Sequence, residues 1–359
     1  MKTLLFTLEY PPFHGGVANY YGNLAKHWPK PGEISILNNN DGYLINNKLP
    51  LLKWLPAYFA LSQKIKQEKI GHIIVGQILP LGTAALIYSW FYKTKYSIFL
   101  HGMDLTYAIK NPRKKWLAKE ILKSAEKIIC INNYTADLTK QFFPLSSNRV
   151  ITVNPGIDPA LPINQEDILK LKEKYNLQNK IILLSVGRLV KRKGFDKVIE
   201  ALPEALKQVP NLIYIIIGDG KEIENWRFKI ENLKLEKYIY IINQTTDQER
   251  DIWYSASDIF IMPSRNIDGD FEGFGIVYLE ANSAGKPVIA GRSGGVQDAV
   301  IEGLNGLLVN PEDISEIASA IIKLADNPEL RQKLGEQGRL RVINEFSWKK
   351  QINKIYNIL

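Results

Sequence analysis

The chain has 359 residues, 45% of them hydrophobic and 23% charged, and a formal net charge of +9; that is the size of about two domains and the composition of an ordinary soluble globular protein. Its single cysteine, Cys130, excludes a disulfide framework within the chain, leaves a thiolate metal site unsupported and fits a reducing cytoplasm. Residues 1–160 hold 19 Lys/Arg against 9 Asp/Glu, a balance of +10, and residues 161–359 hold 27 against 28, a balance of −1; the basic part suggests an anionic partner such as nucleic acid, a phospholipid surface or a phosphorylated acceptor.

The opening MKTLLFTLEYPP reads as a first β-strand ending at Glu9–Tyr10. Its apolar stretch is too short for a signal peptide, and no small-residue cleavage site follows. Next comes YPPFHGGVANYY, in which Gly15 and Gly16 form a strand-to-helix turn and a helix begins near Val17. EISIL is a second strand, and a helical run follows Trp54. Ile73–Tyr92 has no charge over 20 positions, long enough to span a bilayer. Gly76, Gln77, Pro80 and Gly82 break it, so HIIV reads as a buried strand and LGTAALIYSWFY as the helix after it. YSIFL, KIICI and VITV supply further strands, with a helix over Lys114–Lys127.

Residues 154–167, NPGIDPALPINQED, are rich in proline and polar residues and mark a domain boundary. A helix over Ile168–Tyr175 and a strand over Ile181–Val186 restart the pattern. LIYIIIG, YIYII, DIFIMPS, KPVIAG and GLLV are strands, separated by helices that include Phe195–Gln208, Ile276–Ala284 and Ile314–Ala325. Alternating strands and helices imply parallel sheets with right-handed crossovers, and two such sets imply two doubly wound domains. Ligands of such sheets bind at the carboxyl ends of the strands, so the loops there carry the chemistry.

Consecutive glycines at Gly15 and Gly16 let bare N–H groups approach a ligand where a helix N-terminus favours phosphate, although a plain tight turn explains them equally simply. His101-Gly102-Met103-Asp104 ends the YSIFL strand; the histidine either reaches a ligand or is a structural partner of Asp104. After IILLSVG, Arg188, Lys191, Arg192 and Lys193 crowd one loop, and Arg188 and Lys193 are placed to neutralise a diphosphate. Gly218-Asp219-Gly220 follows the next strand. Glu272-Gly-Phe-Gly precedes a helix carrying Glu280. On one continuous helix these glutamates would point about 80° apart and lie about 12 Å apart along the axis. The glycines therefore put Glu272 in a loop and Glu280 on the helix. Ser293-Gly294-Gly295 forms a third glycine turn. Asp268-Gly269-Asp270 has a D-x-D form but lies in a loop insertion.

Together, the GG turn after the first strand, His101-Gly102, Gly187-Arg188 with Lys193-Gly194, Gly218-Asp219-Gly220, the Glu272/Glu280 block and the closing Phe346-Ser347-Trp348 resemble the family 4 retaining nucleotide-sugar glycosyltransferases. The resemblance covers essentially the whole chain. YPPFHGGVANYY and PSRNIDGDFEGFGIVYLEA also resemble the subgroup of bacterial phosphatidylinositol-mannoside mannosyltransferases and related cell-envelope enzymes.

The resemblance implies the α/β GT-B fold: two Rossmann-like, doubly wound domains facing a cleft, with a C-terminal helix crossing back. The N-terminal domain, 1–160, would bind the acceptor, 161–344 the nucleotide sugar, and 345–359 would return to the first domain. It also implies roles. Gly15 and Gly16 would offer backbone N–H to the donor phosphate, and Arg188 and Lys193 would hold the diphosphate. Glu272, with the N–H groups of Phe274 and Gly275, would hold the donor sugar; Gly218 and Ile276 complete the donor set. Glu280 would bind the ribose, and His101 would contact the sugar or its reacting face. The catalytic set is then His101, Glu272, Arg188 and Lys193.

The implied reaction moves a hexose, mannose from GDP-mannose or the sugar of a UDP-sugar, to a lipid-linked or polysaccharide acceptor with retention. Fixed cations and a helix N-terminus stabilise the charge that develops on the leaving diphosphate, so no metal cofactor is expected. Basic and aromatic residues in Leu51–Lys69 and Lys110–Lys119 have the character of a membrane-surface stretch. They suggest a cytoplasmic protein peripheral on the inner face of the plasma membrane, and no nucleic-acid motif accompanies them. The rival readings are a GT-B nucleotide-sugar epimerase and a non-catalytic binder of anionic polymers.

Overall fold

A computed structural model describes residues 2–359 except 14, 50, 51, 145, 160 and 161; His14 and Leu51 of the stretches above thus lie outside the described residues. The chain splits into two compact units, Met1–Gly156 with Trp348–Leu359, and Ile157–Ser347.

In the first unit, β1 (Thr3–Phe6), β2 (Ile34–Leu37), β3 (His72–Val75), β4 (Lys95–Leu100), β5 (Ile128–Cys130) and β6 (Val150–Thr152) form one sheet in the order β2-β1-β3-β4-β5-β6. Every pairing is parallel; Leu5, for example, lies opposite Ile36 on one side and Ile74 on the other. The strands β1, β3 and β5 are buried along their whole length, as expected where helices cover both faces. Gly76, Gln77, Ile78, Leu79 and Pro80 separate β3 from the helix Leu81–Phe91, which is 11 residues long. No helix among the described residues is long and apolar enough to cross a membrane.

The second unit repeats the plan with β7 (Ile181–Val186), β8 (Leu212–Ile217), β9 (Ile239–Ile242), β10 (Ile259–Met262), β11 (Val288–Gly291) and β12 (Gly306–Val309). The order is β12-β11-β10-β7-β8-β9, again parallel throughout. Its core runs continuously through buried Leu183, Ile215, Phe260, Leu279 and Ile321. Strand order reverses between β7 and β10, so the loops leaving these neighbours diverge and leave a crevice at their carboxyl ends. Those loops contain Lys193 and Glu272.

The last helices separate the units. Pro328–Glu345, 18 residues long, belongs to the second, and Trp348–Tyr356 to the first. In the first unit the Trp348 ring meets Tyr20 edge-on with centroids 5.4 Å apart, and the Tyr356 hydroxyl donates to Glu33 at 3.1 Å.

Candidate functional site

In the second unit three loops converge on Glu272. The first follows β7: a short 3-10 turn, Lys191–Lys193, ends at Gly194, and the helix Phe195–Gln208 begins there. This turn aims Arg192 and Lys193 inward, and both are at least nine-tenths buried. The second follows β10 and carries Glu272 itself, 8% exposed. Lys193 Nζ and Arg192 Nη1 each donate to Glu272 Oε2 at 2.7 Å. The third, Ser293–Gly295 after β11, fixes the backbone: Gly295 N–H donates to the Glu272 carbonyl at 3.0 Å.

Burial alone would raise the Glu272 carboxyl's pKa, but the charges and hydrogen bonds of Lys193 and Arg192 override it and hold the group at about 2. A buried ion pair repays the loss of water only when geometry is good. Here two cations share one carboxylate oxygen, and Arg192 Nε also lies 3.0 Å from Asp270 Oδ1. The result is a fixed anion among fixed cations at a sheet switch point.

Gly275 caps the helix Ile276–Ser283 with φ 80°, a left-handed conformation. A Cβ there would also strike the Tyr278 ring. The glycine thus turns the chain sharply from the Glu272 loop into the helix that carries Glu280. Glu280 meets different company. Tyr254, on the helix Asp247–Ala256, donates its hydroxyl to Glu280 Oε2 at 2.6 Å. Burial raises the Glu280 pKa, partly offset by the Tyr254 hydrogen bond and the Arg250 charge. The two glutamates do not share a site atom: one is a charged hub and the other a carboxyl held by one phenol.

The other second-unit candidates divide. Lys193 and Glu272 come together; Arg188 is exposed and pairs with no acid among the described residues. Gly218 has a packing reason for its identity, since a Cβ would run into the Gly187 carbonyl. Phe274 is buried against Phe346. Ile276 begins the helix after the glycine turn. Two partners of the site escaped sequence reasoning: Arg192, which stood unassigned within a basic run, and Tyr254, for which spacing carries no signal. Asp270 of the D-x-D segment serves Arg192, and no cluster of three or more His, Cys, Asp or Glu able to hold a metal occurs among the described residues.

In the first unit Gly15 precedes and Gly16 starts the helix Gly16–Lys26. A Cβ on Gly16 would meet nothing within 4 Å. The fold therefore leaves open space beside a helix N-terminus. His101 follows β4. Its backbone N–H donates to Asp104 Oδ1 at 3.1 Å, while its Nε2 lies 2.8 Å from the Tyr21 hydroxyl. Of the two readings of His101, the partnership with Asp104 runs through the histidine's backbone, while its ring partners Tyr21. Burial lowers the His101 pKa to about 4 and raises that of Asp104 to about 6.

Comparison with known proteins agrees with this architecture. The family model "Glycosyl transferases group 1" matches residues 167–341, and "Glycosyltransferase Family 4" matches residues 14–161. The GDP-mannose-dependent alpha-(1-6)-phosphatidylinositol monomannoside mannosyltransferase of Mycolicibacterium smegmatis is 26% identical over 375 residues, covering 99% of this chain and 97% of that protein. The corresponding enzyme for the monoacylated lipid in Corynebacterium glutamicum is 28% identical over 377 residues, covering 100% and 97%. Among solved structures, a glycosyltransferase from Rickettsia africae superposes with a TM-score of 0.84 at 22% identity over 99% of this chain and 97% of that one. Anabaena Alr3699/HepE in complex with UDP superposes with 0.81 at 20% identity over 99% of both chains. Two parallel six-stranded sheets, their switch-point loops and matches that together span nearly the whole chain lead to one conclusion: this chain belongs to the group 1, family 4 glycosyltransferases and has the GT-B fold.

Proposed function

We propose that the protein transfers a hexose, with mannose from GDP-mannose as the foremost candidate, to a lipid-linked or polysaccharide acceptor of the cell envelope with retention of anomeric configuration. The observation that carries this reading is the Glu272 carboxylate pinned by Lys193 and Arg192 at the switch point of the second sheet. Glycosidic cleavage leaves negative charge on a nucleoside diphosphate. Preorganised cations and helix N–H groups stabilise that charge more in the transition state than in the ground state. Lys193 and the accessible Arg188 hold the diphosphate. Glu272 keeps Oε1 for a donor-sugar hydroxyl, and Glu280 takes the ribose hydroxyls. The first unit contributes the Gly15–Gly16 backbone toward phosphate and His101 toward the sugar.

Both cations occupy Glu272 Oε2, which suits an orienting carboxylate better than a nucleophile. The departing phosphate oxygen then takes the proton of the incoming hydroxyl on the same face. The chain's own cations supply the positive charge, so the reaction proceeds without a metal. Mannose and GDP are favoured by the activities named for the mycobacterial and corynebacterial relatives.

The lipid-linked acceptor gives the basic first unit its role, on the inner face of the plasma membrane. Phe59 and Trp116 are each 62% exposed, and Lys114, Lys115 and Lys119 share the helix Pro112–Ser124 with Trp116. Aromatic and basic groups together suit an anionic lipid surface.

Proton NMR during slow hydrolysis of GDP-mannose tests the reaction. The first-formed mannose should be the α anomer, the configuration of the donor. β-Mannose appearing first contradicts retention, and UDP-glucose turning over while GDP-mannose does not moves the donor assignment to UDP-sugars.

A further inference from the structure

The first unit contains a hydrogen-bond chain that fixes the protons of the histidine ring. Tyr21, fully buried on the helix Gly16–Lys26, has one hydroxyl proton. Its Oη lies 2.7 Å from the Gly76 carbonyl oxygen, just beyond β3. A carbonyl can only accept, so the tyrosine proton goes there. The second neighbour of the same oxygen is His101 Nε2 at 2.8 Å. With its proton already given, Tyr21 can only accept from the imidazole, so Nε2 carries hydrogen. Rings lock this arrangement: Tyr20 and Tyr21 meet His101 edge-on at 5.6 and 5.2 Å, and Phe99 stacks on it at 6.1 Å. Nδ1 bonds to none of the described residues and is not among the buried atoms left without a partner.

We propose that Tyr21 is a positioning residue that holds His101 in the Nε2–H tautomer, so that the ring meets its ligand through Nδ1 as a pure hydrogen-bond acceptor. This rests on the assignment of His101 to the sugar and narrows it. The ligand group must be a donor, such as a sugar hydroxyl, and not a phosphate or ring oxygen. The ring does not act as the proton donor of the reaction: its only hydrogen is committed to Tyr21, and burial lowers its pKa to about 4, so it is neutral at working pH.

The test is long-range nitrogen–proton correlation NMR on protein with 15N-labelled histidine, with the His101 signal identified by its loss in His101→Ala. Wild type should show a protonated Nε2 and a bare Nδ1 at neutral pH. Tyr21→Phe should mix the tautomers and lower kcat of transfer about tenfold, the worth of one neutral hydrogen bond, while leaving GDP affinity unchanged. A protonated Nδ1 in wild type overturns the inference. So does a Tyr21→Phe protein that keeps both the tautomer and the rate. Full transfer activity in His101→Ala, with the Nε2–H signature intact in wild type, would instead remove His101 from the sugar site and leave the tautomer assignment standing.

Discussion

The strand ends of the two units handle polarity in opposite ways. In the second unit a carboxylate is buried with two cations and stays charged down to a pKa of about 2. In the first unit a half-buried histidine packed against aromatic rings loses its charge, with a pKa of about 4. Desolvation acts on both groups against the ionised form; only the neighbours differ. The contrast fits the proposed roles, in which the cations beside Glu272 face a diphosphate and the His101 ring faces a neutral sugar hydroxyl. A smaller version lies within the second unit, where Glu272 is buried and Glu280 half-buried, but only Glu272 has cations on its oxygen.

The largest effect should come from breaking the charged end. Glu272→Ala leaves Lys193 and Arg192 buried without their shared anion, which costs about 3 to 5 kcal/mol, and should lower kcat about 100- to 1000-fold. Calorimetry and initial rates check this; an unaltered rate would remove Glu272 from the site. The same pairing sets an acid limit. Because its folded pKa is depressed, Glu272 adds stability that is complete above its unfolded value and disappears as pH falls from about 4.5 toward about 2. The acid side of the unfolding profile should lose that slope in the variant.

Gly16→Val probes the other end. Nothing in the protein crowds that position, so melting temperature should hold while the donor KM rises about tenfold, equal to about 1.4 kcal/mol. An unchanged KM would count against a phosphate at Gly16. Glu280→Gln separates the two glutamates. A carboxyl whose folded pKa is raised contributes stability only at pH below its unfolded value and detracts once ionised. The amide should therefore raise the melting temperature at neutral pH while weakening donor binding. A drop in melting temperature would show that Glu280 is structural. The smallest effect concerns the basic surface: flotation with anionic vesicles at low salt should exceed that with neutral vesicles, and equal flotation would remove the membrane from the account.

Much of the fold was legible because buried parallel strands are short continuous apolar runs. The strand Ile181–Val186 and the helices Phe195–Gln208 and Ile314–Ala325 lie where periodicity put them. Helix starts were less legible: Gln165–Lys174 begins three residues before Ile168 because the Asn164 side chain caps it, accepting from Glu166 N–H. The helix Pro328–Glu345 buries Leu334 and Val342 but its packing face is completed by small residues, with Gly335 against the Gly285 carbonyl and Gly338 against Asn282. Likewise, Lys193 and Glu272 stood out by their place in loops after strands and Glu280 by its spacing from Glu272, whereas Arg192 and Tyr254 gain meaning only through contacts 80 and 26 residues away in sequence.

The central claim is that the second unit's charged strand end binds a nucleoside diphosphate through Lys193. Thermal unfolding of wild type and Lys193→Ala with a saturating series of GDP tests it most directly, since a ligand confined to the native state raises the melting temperature with its concentration. The account predicts a GDP-dependent rise in wild type that is largely lost in Lys193→Ala. An equal rise in both proteins would contradict it.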